Sequence, residues 1–65
     1  MKTSEKTIKE HDIVVLNEDL AYVKSGSIGA VVHIYPDSGV FEVEFLKSDG
    51  KPSVETVSLG QITKL

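Results

Sequence analysis

The sequence predicts an all-β domain, on the evidence of composition, hydrophobic alternation and turn spacing. Of its 65 residues, 26 are apolar, including nine valines and five isoleucines against only two alanines. Branching at Cβ suits a pleated, half-buried surface and lowers helix propensity. Clusters of Gly, Ser, Asp, Asn and Pro divide the chain into segments of strand length. A single small domain built from strands is therefore expected.

The clearest strand signal is the alternation in residues 40–46. Phe41, Val43 and Phe45 lie on one face of such a strand, while Glu42 and Glu44 lie on the other. The predicted strands are connected, in order, by a long first loop, two tight turns and a one-turn break before a short last strand. This layout is typical of a five-stranded SH3-like barrel, in which closure of the sheet removes its open edges. The predicted strands are residues 12–16, 28–35, 40–46, 53–59 and 62–65.

Two of these strands depart from simple alternation. Residues 12–16 are apolar on both faces, which predicts a strand buried on both sides or a bulge. In residues 53–59, Val54 and Val57 are three positions apart, so a bulge or a change of face is expected between them.

The predicted domain boundary lies at His11. Residues 1–10 are polar apart from Ile8 and the initial Met, so we expect a flexible N-terminal tail, with a short helical turn capped at Ser4 or Thr7 as the alternative. Residues 11–65 form the predicted barrel domain.

Charge and composition narrow the function classes. The net charge is −3, with seven lysines and no arginine, and residues 11–65 carry four lysines against eight acids. Nucleic-acid binders neutralise phosphates with basic side chains, so no nucleic-acid partner is expected. The chain has no cysteine for a disulfide or thiolate site and no apolar run of about 20 residues. We expect a cytoplasmic protein with no cofactor, no metal site and no membrane partner.

The segment of residues 26–34 carries the pattern G-x-x-G-x-V-x-x-I. Gly26 permits a tight entry turn, and Gly29 permits a bulge or a close backbone crossing. Val31 and Ile34 are then expected to face the core across the bulge. The pattern is similar to the KOW motif of ribosomal and transcription-elongation proteins, but it indicates a bend in a barrel rather than nucleic-acid binding.

Four segments beyond residue 10 carry a resemblance to a known family: HDIVVL at 11–16, VKSGSIGAVVHIY at 23–35, FEVEF at 41–45 and the Asp49-Gly50 turn with the strand after it. In this order they resemble the domain-of-unknown-function 4926 family of small bacterial proteins. The resemblance implies a small SH3-like fold rather than an activity, and it adds the expectation, from some members of the family, of a toxin-like partner gene beside this one.

Candidate binding residues lie in the first loop and on the third strand. Leu20 and Tyr22 are apolar residues within a long polar loop, and they either cover one mouth of the barrel or form a contact patch with Tyr35. Glu42 and Glu44 are the acidic candidates for a basic partner. No nucleophile or general base has a recognisable setting, so no enzyme is expected.

The leading hypothesis is therefore a non-enzymatic protein-binding module, as the neutralising member of a toxin-antitoxin-like pair. Its partner is expected to be a basic protein, and the chain itself to be a monomer or a weak homo-oligomer. Two alternatives are a KOW-like nucleic-acid or ribosome-associated domain and a small structural subunit of a larger complex.

Overall fold

Five antiparallel strands form one sheet in residues 7–65, the part of the chain that the computed structural model describes. They are β1 (Ile13–Leu16), β2 (Ile28–Tyr35), β3 (Val40–Leu46), β4 (Pro52–Ser58) and β5 (Ile62–Lys64). Their order in the sheet is β4–β3–β2–β1–β5. The all-β, five-stranded prediction is confirmed, and the bounds of β2 and β3 are those predicted.

The sheet does not close into the predicted barrel. Ladders join β1 to β2 and β5, and β3 to β2 and β4, but none joins β4 to β5 within residues 7–65. These two strands are the edges of an open sheet. Their connection, a single 3₁₀ turn at Leu59–Gln61, brings one end of each edge together, and β5 offers three residues against the seven of β4.

The sheet is nevertheless strongly curled. A flat five-stranded sheet separates its edge strands by four spacings, or about 19 Å. The four residues from Ser58, the end of β4, to Ile62, the start of β5, reach at most about 14 Å. The edges must therefore bend toward each other, giving the sheet a concave inner face and a convex outer face.

The hydrophobic core fills the inner face, and all five strands contribute to it. Each of its side chains is at most 3% exposed. Because residues directly opposite each other in an antiparallel pair share a face, the ladders confirm that Phe41, Val43 and Phe45 point inward together. The core comprises Ile8, Val14, Leu16, Val23, Val31, Phe41, Val43, Phe45, Val57 and Ile62.

A bulge in β2 produces the expected change of phase. Val31 pairs with Val43 and His33 pairs with Glu42, which leaves Val32 unmatched. Val31 is fully buried and Ile34 packs against the core, as the motif predicts, while Val32 and His33 are both exposed. In β4 the ladder is continuous, so Val54 and Val57 lie on opposite faces of a regular strand.

The chain before β1 is fastened to the core. The predicted tail falls partly on residues 1–6, which lie outside the described residues, but Ile8 is 3% exposed and belongs to the core. The Lys9 backbone N–H donates to Asp12 Oδ2 at 2.8 Å. Lys64 Nζ lies 3.2 Å from the same Asp12 oxygen and donates to the Thr7 carbonyl at 3.1 Å. The two contacts of Lys64 hold the segment before β1 against β5.

Asp12 has a lowered pKa in this arrangement. The main cause is the hydrogen bond from the Lys9 backbone N–H, and the Lys64 ammonium adds to it. The lowered pKa means that the ionised Asp12 carboxylate stabilises the folded protein. This stabilisation is present above the pKa of Asp12 in the unfolded chain, and it is lost as the pH falls through the lower pKa of the folded protein.

Gly29 is predicted to be essential for close packing of β2 on β3. A Cβ at this position would lie 2.7 Å from Phe45 Cδ1 and 2.7 Å from Val43 Cγ1. The φ of Gly29 is not positive, so the constraint is steric rather than conformational. Overpacking of this kind costs about 1–3 kcal/mol, so Gly29→Val should lower the free energy of unfolding in urea by at least ~1 kcal/mol.

Gly60→Ala is the matched control, since nothing lies within 4 Å of its Cβ position and its φ is not positive. We expect it to change the unfolding free energy by less than about 0.5 kcal/mol. Equal losses in the two variants would contradict the packing explanation.

Ile8 is predicted to stabilise the domain although it precedes the first strand. Ile8→Ala removes a fully packed side chain and should cost about 2–5 kcal/mol in equilibrium unfolding. Ile13→Ala, at a position that is 46% exposed, should cost about 1 kcal/mol or less. A negligible effect of Ile8→Ala would show that the segment before His11 is dispensable.

Candidate functional site

The convex outer face of the sheet carries side chains of all five strands and has no covering layer in residues 7–65. We define the outer face by the register of the ladders, which places opposite residues on the same side. One row across the sheet is Val54, Glu44, Ala30, Ile13 and Leu65. The adjacent row is Pro52, Leu46, Ile28, Val15 and Thr63. Toward the other end of β2 and β3 lie Val32, His33, Tyr35, Val40, Glu42, Thr56 and Ser58.

The outer face is unusually apolar for a surface open to water. Within residues 7–65, eight large apolar side chains are exposed, and seven of them lie on this face; Tyr22 is the exception. Monomeric proteins seldom expose contiguous apolar surface of this kind unless it binds something. The seven are Ile13, Ile28, Val32, Tyr35, Leu46, Val54 and Leu65, with exposed fractions from 42% to 67%.

The charged side chains of the outer face are both acidic. Glu42 and Glu44 project from β3, two residues and therefore about 7 Å apart. The Thr56 hydroxyl donates to Glu42 Oε1 from the neighbouring strand. Glu44 is exposed and stands between Ala30 and Val54 across the strands, so an unneutralised carboxylate lies within the apolar rows.

The polar end of the outer face is formed around Tyr35. The rings of His33 and Tyr35 meet edge to face, with centroids 4.6 Å apart. His33 is directly opposite Glu42 on β3. Tyrosine at the margin of an apolar surface offers both a large contact area and a hydroxyl, which suits a binding anchor.

The other two predicted site residues, Leu20 and Tyr22, lie in the first loop and differ in burial. Val23 is buried and Leu20 packs against the core, so both fold back toward the inner face. The Leu20 N–H donates to the Val23 carbonyl at 2.8 Å, and Ser25 N donates to Asp19 Oδ1 at 2.9 Å, which fixes the turn. Tyr22 is 76% exposed at the tip. The structure thus brings Tyr35, Glu42 and Glu44 together on one face and places Leu20 elsewhere.

The sequence prediction missed most of the apolar residues of this face. A signal for Ile13 and Val15 is present, since residues 12–16 are apolar on both sides, but this pattern predicts a strand buried on both sides or a bulge. The structure covers only the side of Val14 and Leu16. Val54 is marked by its phase relative to Val57, and Leu46 by its phase with Glu42 and Glu44, while Leu65 carries no signal of its own.

A further pair of polar side chains lies outside the outer face. On the inner side of edge strand β4, the Ser53 hydroxyl donates to Glu55 Oε2 at 2.5 Å, and Glu55 is opposite the buried Val43. Among the described residues, no group of three His, Asp or Glu side chains is placed to hold a metal ion. In the same part of the chain, no helix has the length and hydropathy that a membrane crossing requires.

Comparison with known proteins identifies a family. No curated protein and no solved structure matches the chain. Residues 10–64 match the model of the family described as Domain of unknown function (DUF4926). The match begins just before β1 and ends with the last residue of β5, and it includes the whole outer face except Leu65. Since it covers nearly the entire chain, the resemblance is confirmed, and the protein belongs to the DUF4926 family.

Proposed function

We propose that this chain is a non-enzymatic protein-binding module whose outer face receives another protein. The observation that carries the proposal is the concentration of seven of the eight exposed large apolar side chains on that one face. Water contact with this surface is unfavourable by about 25 cal/mol per Å² relative to burial, so a partner that covers it gains affinity directly.

The anatomy of the face supports protein recognition. Protein interfaces combine an apolar centre, depleted in charge, with a polar margin enriched in tyrosine. Here the rows through Ile28 and Ala30 form an apolar centre that holds one carboxylate, Glu44, and His33, Tyr35 and Glu42 form the margin. Tyr22 lies in the first loop, outside this surface.

The edges of the sheet are less suited to binding than its face. An open edge invites strand addition unless it is short or carries proline and inward-pointing charge. β5 is three residues long, and β4 begins at Pro52 and turns Glu55 toward the inner side. Both edges are thus protected against strand addition, which leaves the outer face as the surface available to a partner.

The finer features of the hypothesis have separate support in the topology and in the composition. The strand order, the long first loop and the 3₁₀ turn before β5 suit an SH3-like module, a fold that hosts many binding functions. A neutralising role toward a toxin-like bacterial partner, in the cytoplasm, is the form of binding that we favour, because an acidic, arginine-free chain is complementary to a basic partner.

The alternative of nucleic-acid binding has little physical support. The outer face carries no lysine, and two of the lysines beyond residue 10 already face carboxylates: Lys47 lies 3.8 Å from Asp49 and Lys64 lies 3.2 Å from Asp12. Stacking aromatics are also few, since Phe41 and Phe45 are fully buried.

Site-specific photo-crosslinking in cells of the source organism tests the protein-binding proposal. A photoreactive phenylalanine analogue in place of Leu46 or Val54 should form a covalent adduct with a different protein, because both side chains are exposed within the proposed interface. The same analogue at Lys24, which is exposed in the first loop, is the control. Adducts from Lys24 alone, or from none of the three positions, would contradict the proposal.

Absence of nucleic-acid affinity is a separate prediction. In a fluorescence-anisotropy titration with labelled mixed-sequence RNA or DNA at physiological salt, we expect binding weaker than roughly 10⁻⁴ M, the loose end of non-specific affinity. The cause is the excess of carboxylates over lysines beyond residue 10. Saturable micromolar binding that weakens steeply with salt would favour the KOW-like alternative instead.

A further inference from the structure

We infer that the outer face docks a basic, amphipathic segment of another protein, in which a lysine or arginine flanked by apolar side chains pairs with Glu44. This inference rests on the proposed protein-binding function and names the chemistry of the partner. It draws on three observations: the charge of the face, the setting of Glu44 and the shape of the sheet.

The charge of the outer face has one sign. Glu42 and Glu44 are the only Asp, Glu, Lys or Arg side chains that the ladders of residues 7–65 place on the face. Lys64, the one lysine within a strand, is paired with Val14 and so belongs to the inner side, where it contacts Asp12. A partner that buries this face must supply the compensating cation itself, since a buried unpaired carboxylate is costly.

Glu44 is the better placed of the two carboxylates to receive that cation. Glu42 already accepts a hydrogen bond from Thr56, whereas no hydrogen bond or ion pair within residues 7–65 engages the Glu44 carboxylate. Its neighbours on the face are Ala30 and Val54 across the strands, and Glu42 and Leu46 along its own strand. A docked partner would exclude water from this setting, and a charge pair there is stronger than one on an open surface.

A second copy of the chain is a poor occupant of the same face. Two outer faces in contact would bring four carboxylates together with no lysine or arginine of the face among them, which opposes association. Both faces are also convex, because the sheet curls around its inner side, so they would meet over a small area. An anionic membrane is disfavoured for the same electrostatic reason.

The proposal is tested with a labelled 18-residue amphipathic helical peptide of leucine and lysine, and with its leucine and glutamate counterpart of identical apolar spacing. Anisotropy titrations at physiological salt use the wild-type chain and two variants, Glu44→Gln and Glu18→Gln. Each variant removes one negative charge, but Glu18 is exposed in the first loop and is not among the residues that the ladders place on the outer face. The pair therefore separates a local effect from an effect of net charge.

We expect the lysine peptide to bind the wild-type chain and the glutamate peptide not to bind. Glu44→Gln should raise the dissociation constant at least five-fold, and Glu18→Gln less than two-fold. Equal weakening by both variants, or equal binding of both peptides, would overturn the inference. So would a stable dimer of the free chain in analytical ultracentrifugation that Val54→Lys abolishes.

The two proposals fail separately. If Leu46 and Val54 crosslink to another protein but Glu44→Gln has no specific effect on the lysine peptide, the binding function stands and the basic partner is wrong. If neither the crosslinks nor peptide binding is observed, both are wrong.

Discussion

The structure depends on one constraint: the buried apolar side chains of residues 7–65 lie on one face of the sheet, and that part of the chain does not cover the other face. The inner face is closed by curling, by the return of Val23 from the first loop, and by Ile8 from the chain before β1. Nothing within residues 7–65 is left to lie across the outer face. The apolar side chains that the strand register directs outward are consequently in contact with water. Packing in the core does not explain why these positions are apolar.

Because the core sets the strand register, it also determines which side chains lie next to each other on the outer face. Gly29 allows β2 and β3 to approach closely around Phe45, which fixes Ala30 opposite Glu44. A slip of one residue would move Phe45 outward and Glu44 inward, a change that the core would strongly resist. The bulge at Val32 then turns Val32 and His33 outward together. The arrangement of carboxylates and apolar side chains on the proposed interface is thus as well defined as the core itself.

Much of this fold could be predicted from sequence because its signals are local. The alternation of Phe41 to Phe45 and the turns on either side define β3, and the motif of residues 26–34 locates the bulge of β2. Barrel closure could not be predicted, since it depends on whether β4 and β5 pair across the sheet. The apolar outer face was missed for a similar reason: the sequence shows that Ile13 and Val15 are apolar, but only tertiary structure shows that no layer covers them. Ile8 was assigned to a tail because a single apolar residue has no period.

The most direct test of one-sided burial compares the same substitution on the two faces. Val43 on β3 is fully buried, and Val54 on β4 is 53% exposed. Urea unfolding should show that Val43→Thr loses about 1–3 kcal/mol, because its hydroxyl is buried without a partner, while Val54→Thr stays within about 0.5 kcal/mol of the wild type. Equal losses would mean that the outer face is packed like the inner one, and the account of an uncovered binding face would be wrong.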